Sequence, residues 1–148
     1  MIQRELKFRR ELIIRMGGRW LVAIHMENRL NPGVPDLSYV IVDQGHETGW
    51  LELKAAANVS PKRKVPIKIE PSQHQWMLKY AHRVPTHILI QVGTKYYLID
   101  GRKHNCLIDS VFEDDLKRNS LHMFEDDALV QELTAVLSDR TRRERNGF

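Results

Sequence analysis

Three side chains in GVPDLSYVIVDQGHETGWLELK, residues 33–54, carry more chemistry than a packing strand needs: Asp36, Glu52 and Lys54. Residues i and i+2 of a strand share a face. Glu52 and Lys54 therefore project together, while Leu51 and Leu53 face the other way. Asp36 stands beside Pro35, where the preceding apolar run begins. If the two runs pair through the short turn between them, Asp36 comes near Glu52. Two carboxylates converging on one spot repel unless a cation lies between them. A hard divalent ion such as Mg²⁺ prefers such an oxygen-only environment. A lysine beside it can position or deprotonate a water, and can steady the charge that builds during phosphoryl transfer. The same residues also suit an ordinary solvated sheet face, where Asp before a strand and Glu-x-Lys within one are common.

Two further polar residues fall on apolar helix faces. At about 100° per residue, Glu5 lies in the arc of Ile2, Leu12, Ile13 and Met16, whereas Glu11 points away. A carboxylate on a buried face needs a partner, and Arg9, on the same side, is the bland one. In SQHQW, Gln73 aligns with Trp76, Met77 and Tyr80, and Gln75 points outward. An inward amide near a helix start can hydrogen-bond a water or a phosphate, or be a satisfied core glutamine.

The elements that must position these residues follow from periodicity and punctuation. Ile2 to Met16 reads as a helix ended by Gly17-Gly18. Trp20 to Glu27, Leu37 to Val42, Trp50 to Ala55, His87 to Val92 and Tyr96 to Asp100 read as strands. Asn28 to Pro35 is a loop, Gln44 to Thr48 a turn, and Asn58 to Val65 a basic loop. Ser72 to His82 reads as a helix with Ser72 as N-cap. Ser110 to Asn119 suggests a short helix. Ala128 to Leu137 is amphipathic through Leu129, Leu133, Val136 and Leu137. This order predicts an α/β (α+β) protein with a mixed sheet flanked by helices. One domain is expected over 1–137, with 138–148 a basic, mobile tail.

The chain has 148 residues and 42% hydrophobic content, enough for one core. Its single cysteine, Cys106, allows no internal disulfide and suggests a reducing compartment; it is expected to be a small buried residue. The opening MIQRELKFRR is charged where a signal peptide needs an apolar run, and no segment reaches roughly 18 apolar residues. A cytoplasmic setting without membrane contact is expected. The net charge of +4 is unevenly spread. Residues 1–108 hold 17 Lys and Arg against 9 Asp and Glu, and residues 109–127 hold two basic and seven acidic side chains. Such polarity suits a basic face for a polyanion.

Taken together, Glu5, GVPD with Asp36, Glu52-Leu53-Lys54, and Gln73-x-x-Trp76 resemble the PD-(D/E)XK nuclease superfamily. The pattern MENRLNPGVPDLSYVIV…GWLELK is most similar to its VRR-NUC group, which includes small stand-alone phage enzymes. The likeness runs from about residue 2 to residue 100. It implies a restriction-endonuclease-like mixed central sheet and hydrolysis of DNA phosphodiester bonds. It implies that Asp36, Glu52 and the Leu53 carbonyl bind Mg²⁺ or Mn²⁺, and that Lys54 activates the attacking water. Glu5 would hold a second metal or a metal-bound water, and Gln73 would steady the site. The stand-alone members imply a homodimer that resolves four-way DNA junctions, and their phage origin would put its action in the host cytoplasm; a two-fold dimer supplies the paired cuts.

Lys62, Arg63, Lys64 and Lys68 follow the catalytic strand and are candidate contacts to the DNA backbone. Arg140, Arg142, Arg143 and Arg145 add non-specific affinity or merely solvate the tail. The acidic runs Glu113-Asp114-Asp115 and Glu125-Asp126-Asp127 read as solvated helix starts facing away from DNA. The seven histidines lack zinc-site spacing, and no Walker-type phosphate loop is present. Two other readings remain open here: a nuclease for flaps, nicks or plain duplex, and a DNA-binding module without catalysis.

Overall fold

A computed structural model describes residues 3–26, 29–42 and 47–145, with side chains to residue 139. Helix α1 (Gln3–Met16) leads through a short 3₁₀ turn into strand β1 (Trp20–Ile24). Strands β2 (Leu37–Ile41) and β3 (Glu47–Ala56) follow, then the short β4 (Lys64–Val65) and helix α2 (Pro71–Tyr80). Strands β5 (Thr86–Val92) and β6 (Lys95–Asp100) form a hairpin, succeeded by a 3₁₀ segment over Gly101–Leu107. The chain ends with β7 (Val111–Phe112), α3 (Glu113–Asn119), β8 (His122–Glu125) and α4 (Leu129–Arg145).

The main sheet has the order β1-β2-β3-β5-β6-β8. Every pairing is antiparallel except β3 with β5, which is parallel and needs the crossover that α2 supplies. This is the expected mixed sheet flanked by helices. Each sheet face carries its own core. On one, Phe8, Leu12 and Met16 of α1 and Leu129, Leu133 and Leu137 of α4 pack on Leu51, Leu53 and Ala55. On the other, Met77 and Ala81, Leu107 and Leu116 pack on Ala56, Ile88 and Ile90. Alternation along β3 assigns Trp50, Glu52 and Lys54 to the α2 side.

Several boundaries differ from the sequence reading. Helix α2 begins at Pro71, and its N-cap is Glu70 rather than Ser72. Proline at the first helical position already fulfils the start geometry. Glu70 and Gln73 then close a reciprocal capping box. The helix ends at Tyr80, short of His82. Thr48 is strand rather than turn, because the register Ile41↔Glu47 prolongs the β2–β3 pair; residues 43–46 lie outside the described part. Strand β1 stops at Ile24, and the expected Glu27 end also lies outside it. Helix α4 continues past Leu137 to Arg145, where a mobile tail was expected; RTRRER contains no helix breaker. Strand β8 and the 3₁₀ segment were not anticipated.

On α1 the buried stripe is Phe8, Leu12 and Met16, with Leu6 and Ile13 only half-buried. The acidic runs open α3 and the turn before α4 as solvated helix starts, with Glu125, Asp126 and Asp127 exposed and Glu113 and Asp115 half-buried. Tyr97 donates to Glu113, and Asp126 accepts from Tyr96 at 2.6 Å and from Arg15 at 3.0 Å. Cys106 is half-buried, and burial pushes its thiol up. Among the described residues, no helix is long and apolar enough to cross a membrane.

Candidate active site

The register of the first three strands builds the site. Leu37 pairs with Leu51 and Ser38 with Trp50, so Asp36 continues the row opposite Glu52. The His25 amide donates to the Asp36 carbonyl at 2.8 Å, extending this row to β1. Pro35 fixes its own φ and holds Val34 before it extended, and Asp36 follows at the strand start. Asp36 is then pinned by its own side chain, whose Oδ2 accepts from the Leu53 amide at 2.8 Å. The Leu53 backbone therefore touches Asp36 directly, between Glu52 and Lys54.

Glu52 and Lys54 are buried, at 2% and 7% exposure, as is Asp36 at 7%. Burial of this kind requires partners, and Gln73 provides them. Its Nε2 donates to Glu52 Oε2 at 3.1 Å, while its Oε1 accepts from Lys54 Nζ at 3.0 Å. The same Oε1 accepts from the Glu70 amide at 2.9 Å, so the helix cap aims the side chain. Gly33 brings the loop against this helix start. It has φ +75°, and a Cβ there would lie 2.0 Å from the Ser72 carbonyl oxygen and 2.8 Å from the Gln73 nitrogen. No residue with a side chain fits this approach.

Asp36, Glu52, Lys54, Gln73 and Glu5 all line one open cleft of about 600 Å³. Burial first, then the adjacent Asp36 carboxyl, holds the Glu52 carboxyl well above the usual carboxylate range; Glu5 acts in the same sense and Lys54 opposes it. An excess of negative charge thus meets at Glu52 in a water-accessible cleft. Two carboxylates and an adjacent backbone segment, all oxygen donors, suit Mg²⁺, which takes one or two carboxylates and completes its shell with water or phosphate. Among the described residues, no three or more His, Cys, Asp or Glu side chains form a ready cage. The donor set fits the ion in this sparse form.

Of the four predicted DNA contacts, Lys68 lines the cleft. Lys62, Arg63 and Lys64 are exposed but stand outside it, and Lys64 Nζ lies 5.7 Å over the Phe112 ring. The cleft also includes Arg9, His25 and Glu70. The sequence reading did not assign His25 to the site, although alternation with Ala23 was a usable signal.

No family model matches the chain, and no curated protein matches it in sequence. Its backbone does have a solved counterpart. The chain is similar to Archaeoglobus fulgidus Hjc, a Holliday junction resolvase from an archaeal hyperthermophile, with a TM-score of 0.55 and 10% identity. The match covers 78% of this chain and 93% of that one. The two share a fold. At this identity the likeness extends to the fold alone.

Proposed function

We propose that this chain is a metal-dependent DNA endonuclease of the PD-(D/E)XK type, nearest the VRR-NUC group. The observation that carries the reading is the bridge made by Gln73 between Glu52 and Lys54, set against Asp36 in one cleft. Its substrate is DNA, most specifically a four-way junction cut by a homodimer. The likeness to a resolvase fold supports that narrower choice; a nuclease for flaps, nicks or duplex would use the same residues.

In this reading Asp36, Glu52 and the Leu53 carbonyl hold Mg²⁺ or Mn²⁺. When bound, the ion supplies Lewis-acid stabilisation of phosphate charge and acidifies water. Lys54, held by Gln73, orients the attacking water and places positive charge where negative charge develops. Glu5, at the cleft wall, would hold a second metal or a metal-bound water. Lys68 and Arg9 face the polyanionic backbone from the same cleft. Lys62, Arg63 and Lys64 extend the basic surface beyond it.

The test is cleavage of a labelled four-way junction and a matched linear duplex, with Mg²⁺ and with Ca²⁺. Paired symmetric cuts in the junction alone, in Mg²⁺ alone, are expected. Cutting of both substrates would keep the nuclease and remove the junction preference. Tight binding without cutting, even in Mn²⁺, would leave a DNA-binding module.

A further inference from the structure

An aromatic row leaves the cleft along the sheet. Trp50 precedes Glu52 by two residues, so both side chains stand on the α2 face, about 7 Å apart along the strand. The His25 ring, which lines the cleft, lies 4.9 Å from Trp50. Trp50 lies 5.4 Å from Trp76, and Trp76 lies 4.6 Å from Tyr80. Trp76 is one helical turn beyond Gln73, so one face of α2 carries both the catalytic bridge and the aromatic row. His25 is held by a 2.8 Å hydrogen bond with Ser38 Oγ, and Lys79 Nζ lies 5.2 Å over the Tyr80 ring.

All four rings are half-buried. Trp76 packs partly on the α2-side core, but Trp50 and Tyr80 belong to neither core. A tryptophan kept half in water beside a catalytic cleft presents a rigid π-face at little entropic cost. Nucleobases stack on such faces irrespective of sequence, and an adjacent cation strengthens the stack.

We infer that His25, Trp50, Trp76 and Tyr80 form a stacking platform for nucleobases that leave the stack at the branch point of the DNA, next to the cut phosphate in the cleft of Glu52. This rests on the nuclease reading and narrows its substrate to DNA with unstacked bases beside the cut. Continuity with the cleft favours the cut strand over a protein partner. Fully paired duplex keeps its bases stacked and cannot use the platform.

The experiment places 2-aminopurine at an unpaired position beside the cut of a branched DNA, and in a matched duplex, with the full chain and Ca²⁺. Wild type should quench the unpaired base on binding and leave the duplex signal unchanged. Trp50→Leu and Tyr80→Leu should each weaken binding of the branched DNA about tenfold, without a matching loss on duplex. Trp50→Phe should retain the quenching, which a merely structural role for the ring would not require. A bright unpaired base in the saturated wild-type complex would overturn the inference, as would equal losses on both DNAs. Cleavage by wild type in Mg²⁺ and in Mn²⁺ is read in parallel. Absence of cutting in Mg²⁺ and in Mn²⁺ rejects the nuclease reading, whereas cutting without quenching rejects only the platform.

Discussion

Glu52 and His87 sit on neighbouring paired strands, and both are buried, at 2% and 0% exposure. Their surroundings differ. Glu52 borders an open cleft and is bound by Gln73, with Lys54 and Asp36 beside it. His87 faces Asp100 across the β5–β6 pair, yet neither ring nitrogen has a hydrogen-bond partner among the described residues. Burial lowers the His87 imidazole to about 4, with Asp100 opposing the shift and Arg102 adding to it. Both positions oppose their own charged form. Only Glu52 does so beside an open cleft, where a cation from outside would restore the balance.

The sharpest way to break this contrast is to remove charge at the cleft. Glu52→Gln or Asp36→Asn should slow cleavage at least about a thousandfold, since several kcal/mol of transition-state stabilisation are lost. The fold should survive, and metal-free Glu52→Gln should melt no lower than wild type. The sign follows from the raised Glu52 carboxyl. Its contribution is complete below the ordinary carboxylate range and is lost as pH rises through its folded value. Mg²⁺ should therefore raise the melting temperature more at pH 8 than at pH 5, and Glu52→Gln should erase that difference. A melting temperature indifferent to Mg²⁺ in wild type would count against Glu52 as a ligand.

The opposite slope belongs to His87. Its folded value lies below its unfolded one, so its contribution is complete above about pH 6.5 and declines towards pH 4. The interval corresponds to at most about 3 kcal/mol. His87→Leu should flatten this acid limb in denaturant titrations at pH 4.5 and 7.5 and leave cleavage near wild type. A steep acid limb in His87→Leu would assign the effect elsewhere. Among the cleft variants Gln73→Leu should give the smaller change in rate, about 10–100-fold, because it acts through Glu52 and Lys54. It should also cost about 1 kcal/mol through the lost cap. Single-turnover rates and thermal melts separate the two effects.

The residues of the cleft were legible where one period or one punctuation mark sufficed. Period-two alternation paired Glu52 with Lys54, Pro35 marked the strand start at Asp36, and helical spacing turned Gln73 inward. Glu5 was also placed in the cleft, although the stripe beneath it runs through Phe8 rather than Ile13. The aromatic row was not legible, because His25, Trp50 and Trp76 meet only through the registers of three separate elements. Strand β8, HMFE, has one buried residue and forms only by pairing with β6. The Glu70 cap left a signal in Pro71, which Ser72 obscured.

Gln73 Oε1 accepts from Lys54 Nζ and from the Glu70 amide at once. The first turn of α2 and the Gln73 bridge to Lys54 are therefore coupled through one oxygen atom. Fraying of that turn releases Lys54, and anything that draws Lys54 away loosens the turn. Amide exchange at the start of α2 reports such local opening. It therefore measures the fraction of molecules whose site is assembled, with no substrate present.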